Sequence, residues 1–162
     1  MNIIIKAMET EAEIRGKAYV HWKAWQEAYP GLVSPAYLEK LSLEKCEEIA
    51  FRWPENTLVA KDGERVLGFV CYGGGGEEAP DTGEIFALYV LAAYYGSGLG
   101  RRLMDAGLEQ LRDCDQIRLW VLQGNERAIR FYEKCGFRPD GAEKELPALS
   151  AREIRIDRKS VV

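Results

Sequence analysis

The stretch from residue 84 to residue 102, EIFALYVLAAYYGSGLGRR, holds most of the chemistry that residue types alone can suggest. An apolar run passes through Tyr95 into a turn where Gly96, Gly98 and Gly100 alternate with Ser97 and Leu99. Alternating glycines let backbone N–H groups approach a ligand with no Cβ in the way. If the turn opens a helix, those amides carry the positive end of its dipole and suit phosphate. Arg101 and Arg102 come next and add candidates for charge-assisted bonds. Two phosphate-binding patterns are excluded. No Gly-x-x-x-x-Gly-Lys-Ser/Thr string occurs, and Arg101 and Leu103 stand where the third glycine of a dinucleotide fingerprint would fall. The turn alone leaves a second reading open, in which the glycines only make a tight lead into a helix. Elsewhere reactive residues are sparse. His21 is the single histidine, which leaves little for a metal site and gives a Ser-His-Asp triad no nucleophile elbow to build on. Cys46, Cys71, Cys114 and Cys135 show no Cys-x-x-Cys spacing and read as reduced, buried thiols.

Those residues need elements to hold them. Residues 2–6 read as a short strand. Thr10-Glu-Ala-Glu13 is a capping box that opens a helix running to about Tyr29, where Pro30-Gly31 stops it. Ser34-Pro35 and Ser42 open two shorter helices, the second ending near Trp53-Pro54. Residues 57–61 and 65–72 form a hairpin around Asp62-Gly63. Residues 73–76 and the acidic stretch to Asp81 read as a loop. Residues 83–91 make the next strand, 99–112 a helix with Leu99, Leu103 and Leu111 on one stripe, 117–122 a strand and 125–135 a helix. Gly136-Phe137 begins a last strand region that residues 152–158 close. With no repeat or linker, residues 1–162 read as one domain, a mixed α/β sheet with helices on both faces.

Composition narrows the class. Of 162 residues 47% are apolar, enough to fill a core without staples. The net charge of −4 argues against a nucleic-acid binder and mildly favours a cationic partner. No signal pattern or membrane-length apolar run is present, so a cytoplasmic protein that meets no membrane is expected.

The order of these elements and two of their motifs resemble the GNAT superfamily of N-acetyltransferases over nearly the whole chain. Tyr95 to Gly100 matches the superfamily's Gln/Arg-x-x-Gly-x-Gly/Ala turn. Asn125, Ala128, Phe131, Tyr132, Glu133, Lys134, Gly136 and Phe137 match its downstream Asn…Ala…Phe-Tyr-Glu-Lys…Gly-Phe motif. The departure is Tyr95, where the superfamily prefers Gln or Arg, so side-chain support for the pyrophosphate is lost and backbone amides carry it.

The resemblance implies the GNAT fold, classed as α/β or α+β: a mixed, mostly antiparallel sheet of about seven strands with a splayed central pair. It implies acetyl-CoA as cosubstrate and no metal. The backbones of Leu88, Tyr89 and Val90 would hold the pantetheine arm, with Asn125, Ala128, Phe131 and Tyr132 on the other side. Residues 95–101 (Tyr95, Gly96, Ser97, Gly98, Leu99, Gly100 and Arg101) would hold the diphosphate. The Val90 amide would steady the oxyanion, Tyr132 would protonate the thiolate, and Glu84 would act as base through water. On residue type alone Tyr132 reads as core, Asn125 as a helix N-cap and Glu84 as a solvated strand end. Trp25 and Tyr29, among the aromatics Trp22, Trp25, Tyr29 and Tyr37, are expected to reach an acceptor pocket. The implied reaction is direct transfer, in a ternary complex, to the amine of a small molecule. A protein or peptide amine, or a non-catalytic acyl-CoA-binding module, are the alternatives, and a homodimer is the commonest assembly.

Overall fold

Thr10 ends the first strand and begins the first helix. Its Oγ1 accepts from Glu13 N at 3.1 Å, and Glu13 Oε1 accepts from Thr10 N at 3.1 Å, a reciprocal capping box. The Glu13 side chain is buried and stays charged because Lys6 and Lys61 reach it at 2.8 and 3.0 Å. This one carboxylate therefore ties helix α1 (Glu11–Ala28) to strands β1 (Ile3–Ala7) and β2 (Thr57–Asp62). The computed structural model describes residues 2–74 and 77–159.

After α1 come α2 (Pro35–Lys40) and α3 (Leu43–Arg52). Ser42 caps α3, its Oγ accepting from Lys45 N at 3.0 Å. Ser34 does not cap α2 with its side chain. Its amide instead donates to Leu149 O at 2.7 Å, and Pro35 sets the first helical φ. The remaining elements are β3 (Arg65–Gly74), β4 (Thr82–Val90), α4 (Leu99–Gln110), β5 (Gln116–Leu122), α5 (Glu126–Lys134), β6 (Arg138–Leu146) and β7 (Ala151–Lys159). Gly73 and Gly74, expected in a loop, extend β3, while Gly75 and Gly76 lie outside the described residues.

The strands form one seven-stranded sheet in the order β1-β2-β3-β4-β5-β7-β6. Every neighbour pair is antiparallel except β4–β5. Helices cover both faces. Leu99, Leu103 and Met104 of α4 bury against Val70, Leu119 and Val121, and α5 adds Phe131 and Tyr132 to this cluster. On the other face Val20 of α1 meets Val59 and Phe69, and Cys46 and Ala50 of α3 pack on Ala18. Gly107 lets α4 settle on the sheet, since a Cβ there would lie 3.1 Å from a Val70 methyl.

The β4–β5 pair is the irregular place. It holds only three residue pairs, Thr82↔Gln116, Gly83↔Ile117 and Glu84↔Arg118. A register shift in the β3–β4 ladder leaves Phe86 unpaired between Ile85 and Ala87, and such an extra residue bends a strand. Beyond it, β4 stays on β3 and β5 stays on β7. The two central strands part toward their carboxyl ends.

Candidate functional site

The parted strands expose backbone. Leu91 N donates to Leu67 O at 3.0 Å, which places Leu91 in a hydrogen-bonded pair with β3. Alternation along the antiparallel ladder then turns the backbone groups of Leu88 and Val90 away from β3 and into the gap. A cavity of about 350 Å³ fills this gap, within the size range of small-molecule sites. Leu88, Tyr89 and Val90 form one wall; Asn125, Ala128, Phe131 and Tyr132 form the other.

The glycine turn closes one end. Gly96 and Gly98 have φ of 76° and 89°, left-handed values that a side chain resists, and both face the cavity with Tyr95, Gly100 and Arg101. The Gly100 and Arg101 amides lie in the first turn of α4, where no helical carbonyl can reach them. The fit to a diphosphate is therefore one of backbone donors and a helix dipole. Ser97 does not contribute its hydroxyl to the wall. That group donates to Tyr94 O at 2.6 Å and accepts from Leu99 N at 3.3 Å, holding the turn together. The Leu99 side chain is core. Arg101 is braced by Asp105 at 3.0 Å and Lys134 O at 3.3 Å. The departure at Tyr95 has a structural answer: the Arg127 guanidinium sits 3.7 Å from the centre of the Tyr95 ring, so α5 supplies a cation at this end.

Asn125 does cap α5, its Oδ1 accepting from Ala128 N at 3.4 Å, and it also faces the cavity. Tyr132 is half-buried on the cavity wall. Burial, with Tyr89 and Cys135 nearby, holds its phenol above the ordinary value and keeps it protonated. Cys71 and Cys135 lie off the cavity wall, and burial raises both thiols, which disfavours a thiolate nucleophile.

The acceptor-side residues divide. Tyr29 reaches the cavity, its hydroxyl 3.0 Å from that of Tyr89. Trp25 does not. Its ring stands edge-on behind Tyr29 at 4.7 Å, and its indole Nε1 is buried without a hydrogen-bond partner among the described residues. Glu84 stands at the fork, opposite Arg118, half-buried and off the cavity wall. Burial raises its carboxyl above the ordinary value, against the lowering pull of Lys144, Arg118 and Arg155. Sequence reasoning missed Trp120, Arg127 and Glu153, which all line the cavity. Strand alternation was the available signal for Trp120, two residues beyond Arg118 on the same face of β5; nothing local marks Glu153.

A seven-stranded sheet parted at one parallel pair, with a glycine turn opening a helix beside the parting, defines a class of acyl-CoA-dependent transferases. The Acetyltransferase (GNAT) family model matches residues 19–137, and the chain belongs to that family. It is an acetyltransferase, and the family uses acetyl-CoA. The probable N-acetyltransferase of Mycobacterium tuberculosis is 28% identical over 131 residues, 76% of this chain and 74% of that protein. The mycothiol acetyltransferase of Propionibacterium freudenreichii is 37% identical over 87 residues, 52% of this chain but only 28% of that protein. The paia N-acetyltransferase of Thermoplasma acidophilum, solved in complex with coenzyme A, superposes with a TM-score of 0.75 at 21% identity, covering 98% of this chain and 99% of that one. That likeness shows the fold. No helix among the described residues is long and apolar enough to cross a membrane.

Proposed function

We propose that this acetyltransferase moves acetyl from acetyl-CoA to the primary amine of a small molecule by direct attack in a ternary complex. The observation that carries the reading is the parting of β4 and β5 after three pairs. It leaves the Leu88 and Val90 backbone free to bond the pantetheine arm as an added strand would, with the Asn125 side chain opposite. The turn amides and the first turn of α4 hold the diphosphate, with Arg127 as the nearby cation.

In the reaction the acceptor ammonium first loses a proton. Glu84, with its raised affinity for protons, takes it through water from beyond the cavity wall. The free amine attacks the thioester carbonyl, and the Val90 amide donates to the developing oxyanion. The C–S bond breaks, the Tyr132 hydroxyl gives its proton to the departing sulfur, and the proton shed by the new amide nitrogen restores the phenol.

A small acceptor is favoured by the way the acceptor end is closed. The Ser34 amide is bonded to Leu149 O, and Tyr29, Val33 and Leu38 pack on Leu122, Leu146 and Leu149. This joins the α1–α2 segment to the β6–β7 connection, where an extended peptide would need a gap. The test is thiol release from acetyl-CoA across a panel of small amines and N-terminal peptides, beside calorimetry of acetyl-CoA alone. Turnover restricted to small amines is expected. Absence of acetyl-CoA binding, or turnover of peptides only, overturns the reading.

A further inference from the structure

Register places a row of side chains on the acceptor-side face of the sheet. Arg118, Trp120 and Leu122 of β5 lie opposite Asp157, Arg155 and Glu153 of β7, and Glu153 lies in turn opposite Lys144 of β6. Leu122 belongs to the cluster under Tyr29, so this is the face that α1 and α2 cover. Three of these residues, Trp120, Leu122 and Glu153, are on the cavity wall, and the first and last of them can meet a charge. The Lys144 Nζ sits 4.3 Å from the centre of the Trp120 ring and 3.4 Å from Glu153 Oε1. The second cation of the row, Arg155, is bonded to Asp140 at 2.6 Å and stands further from the indole, at 5.8 Å.

An aromatic face beside a carboxylate is a receptor for an ammonium group. Glu153 is mostly withdrawn from solvent, with 22% of its side chain exposed, whereas Lys144 is 46% exposed on the outermost strand. The lysine is thus the replaceable member of the trio, a flexible stem whose head rests on two fixed groups. We propose that Trp120 and Glu153 form the subsite for the acceptor's alkylammonium group, and that Lys144 is a resident occupant which the acceptor displaces. The inference rests on the small-amine reading above and narrows it. The acceptor carries a primary ammonium on a slender alkyl stem, the shape that Lys144 itself presents. An ordinary cross-strand ion pair would also join Lys144 to Glu153, but it would have no bearing on an amine's KM.

The test uses the full chain with acetyl-CoA and two probes, butylamine and cadaverine. Lys144→Met keeps the stem and removes the competing charge; it is expected to lower the amine KM about fivefold. Glu153→Gln is expected to raise the amine KM about tenfold. Acetyl-CoA affinity by calorimetry is expected to be unchanged in both, and thermal melting checks that each variant is folded. An unchanged or raised KM in Lys144→Met, an unchanged KM in Glu153→Gln, or no turnover of either probe by a protein that binds acetyl-CoA overturns the subsite. Loss of acetyl-CoA binding in the parent protein would instead sink the transferase reading from which the subsite was drawn.

Discussion

At the scale of single residues the proposed mechanism turns on the Tyr132 phenol. Its desolvation keeps the hydroxyl protonated, and its ring lies on the cavity wall where a leaving group would depart. Tyr132→Phe removes only the oxygen, and the ring remains to pack on Phe131 and Phe137 at 5.4 and 6.1 Å. The variant is expected to fold and to bind acetyl-CoA as the parent does. Its kcat is expected to fall by about a hundredfold, at the lower end of what positioned acids supply. Calorimetry with steady-state thiol release checks both halves, and a kcat within about twofold of the parent would remove Tyr132 from the chemistry. Because the phenol is held above its ordinary value of 10.0, the parent's kcat is not expected to decline through this group below pH about 10.

At the scale of elements the turn before α4 separates stability from binding. Gly98 is the residue before the helix at φ 89°, and a Cβ added there would meet nothing within 4 Å, so any cost of Gly98→Ala is backbone strain alone. Gly100 lies inside α4 without positive φ, and a Cβ there makes ordinary contact with the Phe131 ring at 3.5 Å. Gly98→Ala is expected to lower stability by about 1–2 kcal/mol. Gly100→Ala is expected to leave stability unchanged or slightly higher, since alanine favours the helix, yet to weaken acetyl-CoA binding about tenfold by crowding the amides. Urea unfolding and calorimetry on the two variants check this, and equal losses of stability would refute the division. These elements were legible in the sequence because their signals are local: Thr10 with Glu13, Ser42, Pro35, the leucine stripe of α4. The glycine turn and Tyr132 were likewise found through contiguous motifs. What stayed hidden depends on register between distant segments. Glu153 reaches the cavity only because β7 lies between β5 and β6, an order no local pattern reveals. Trp25 and Tyr29 share helical spacing, and only the packing of α1 decides that Tyr29 faces the cavity and Trp25 stands behind it.

At the scale of the whole molecule, the face of the sheet opposite α4 stores two ionisable groups whose titration couples to folding over different ranges of pH. His21 is half-buried between α1 and the sheet, stacked 6.1 Å from Tyr89, with its Nδ1 buried and unpartnered among the described residues. Burial, with the Lys17 charge, lowers its pKa from 6.5 to about 4. Below pH 6.5 the unfolded chain takes up a proton that the folded chain refuses, so the stability His21 contributes is complete above pH 6.5 and drains as pH falls toward 4. The size is roughly 3 kcal/mol, from about 1.4 kcal/mol for each pH unit. Glu13 behaves differently. Burial alone would raise its carboxyl, but bonds from Lys6, the Glu9 and Thr10 amides and Lys61 outweigh that and hold it well below 4.5. Its contribution is therefore intact above pH 4.5 and is lost only under more acid conditions. Urea midpoints of the parent protein are expected to fall between pH about 7 and about 5, where Glu13 is silent. His21→Leu is expected to flatten that limb while leaving the loss below pH 4.5 in place, and Glu13→Gln to do the reverse. A parent midpoint that does not change between pH about 7 and about 5 would mean that the imidazole charges freely in the fold, and that the contact between α1 and the sheet is wetter than its packing implies.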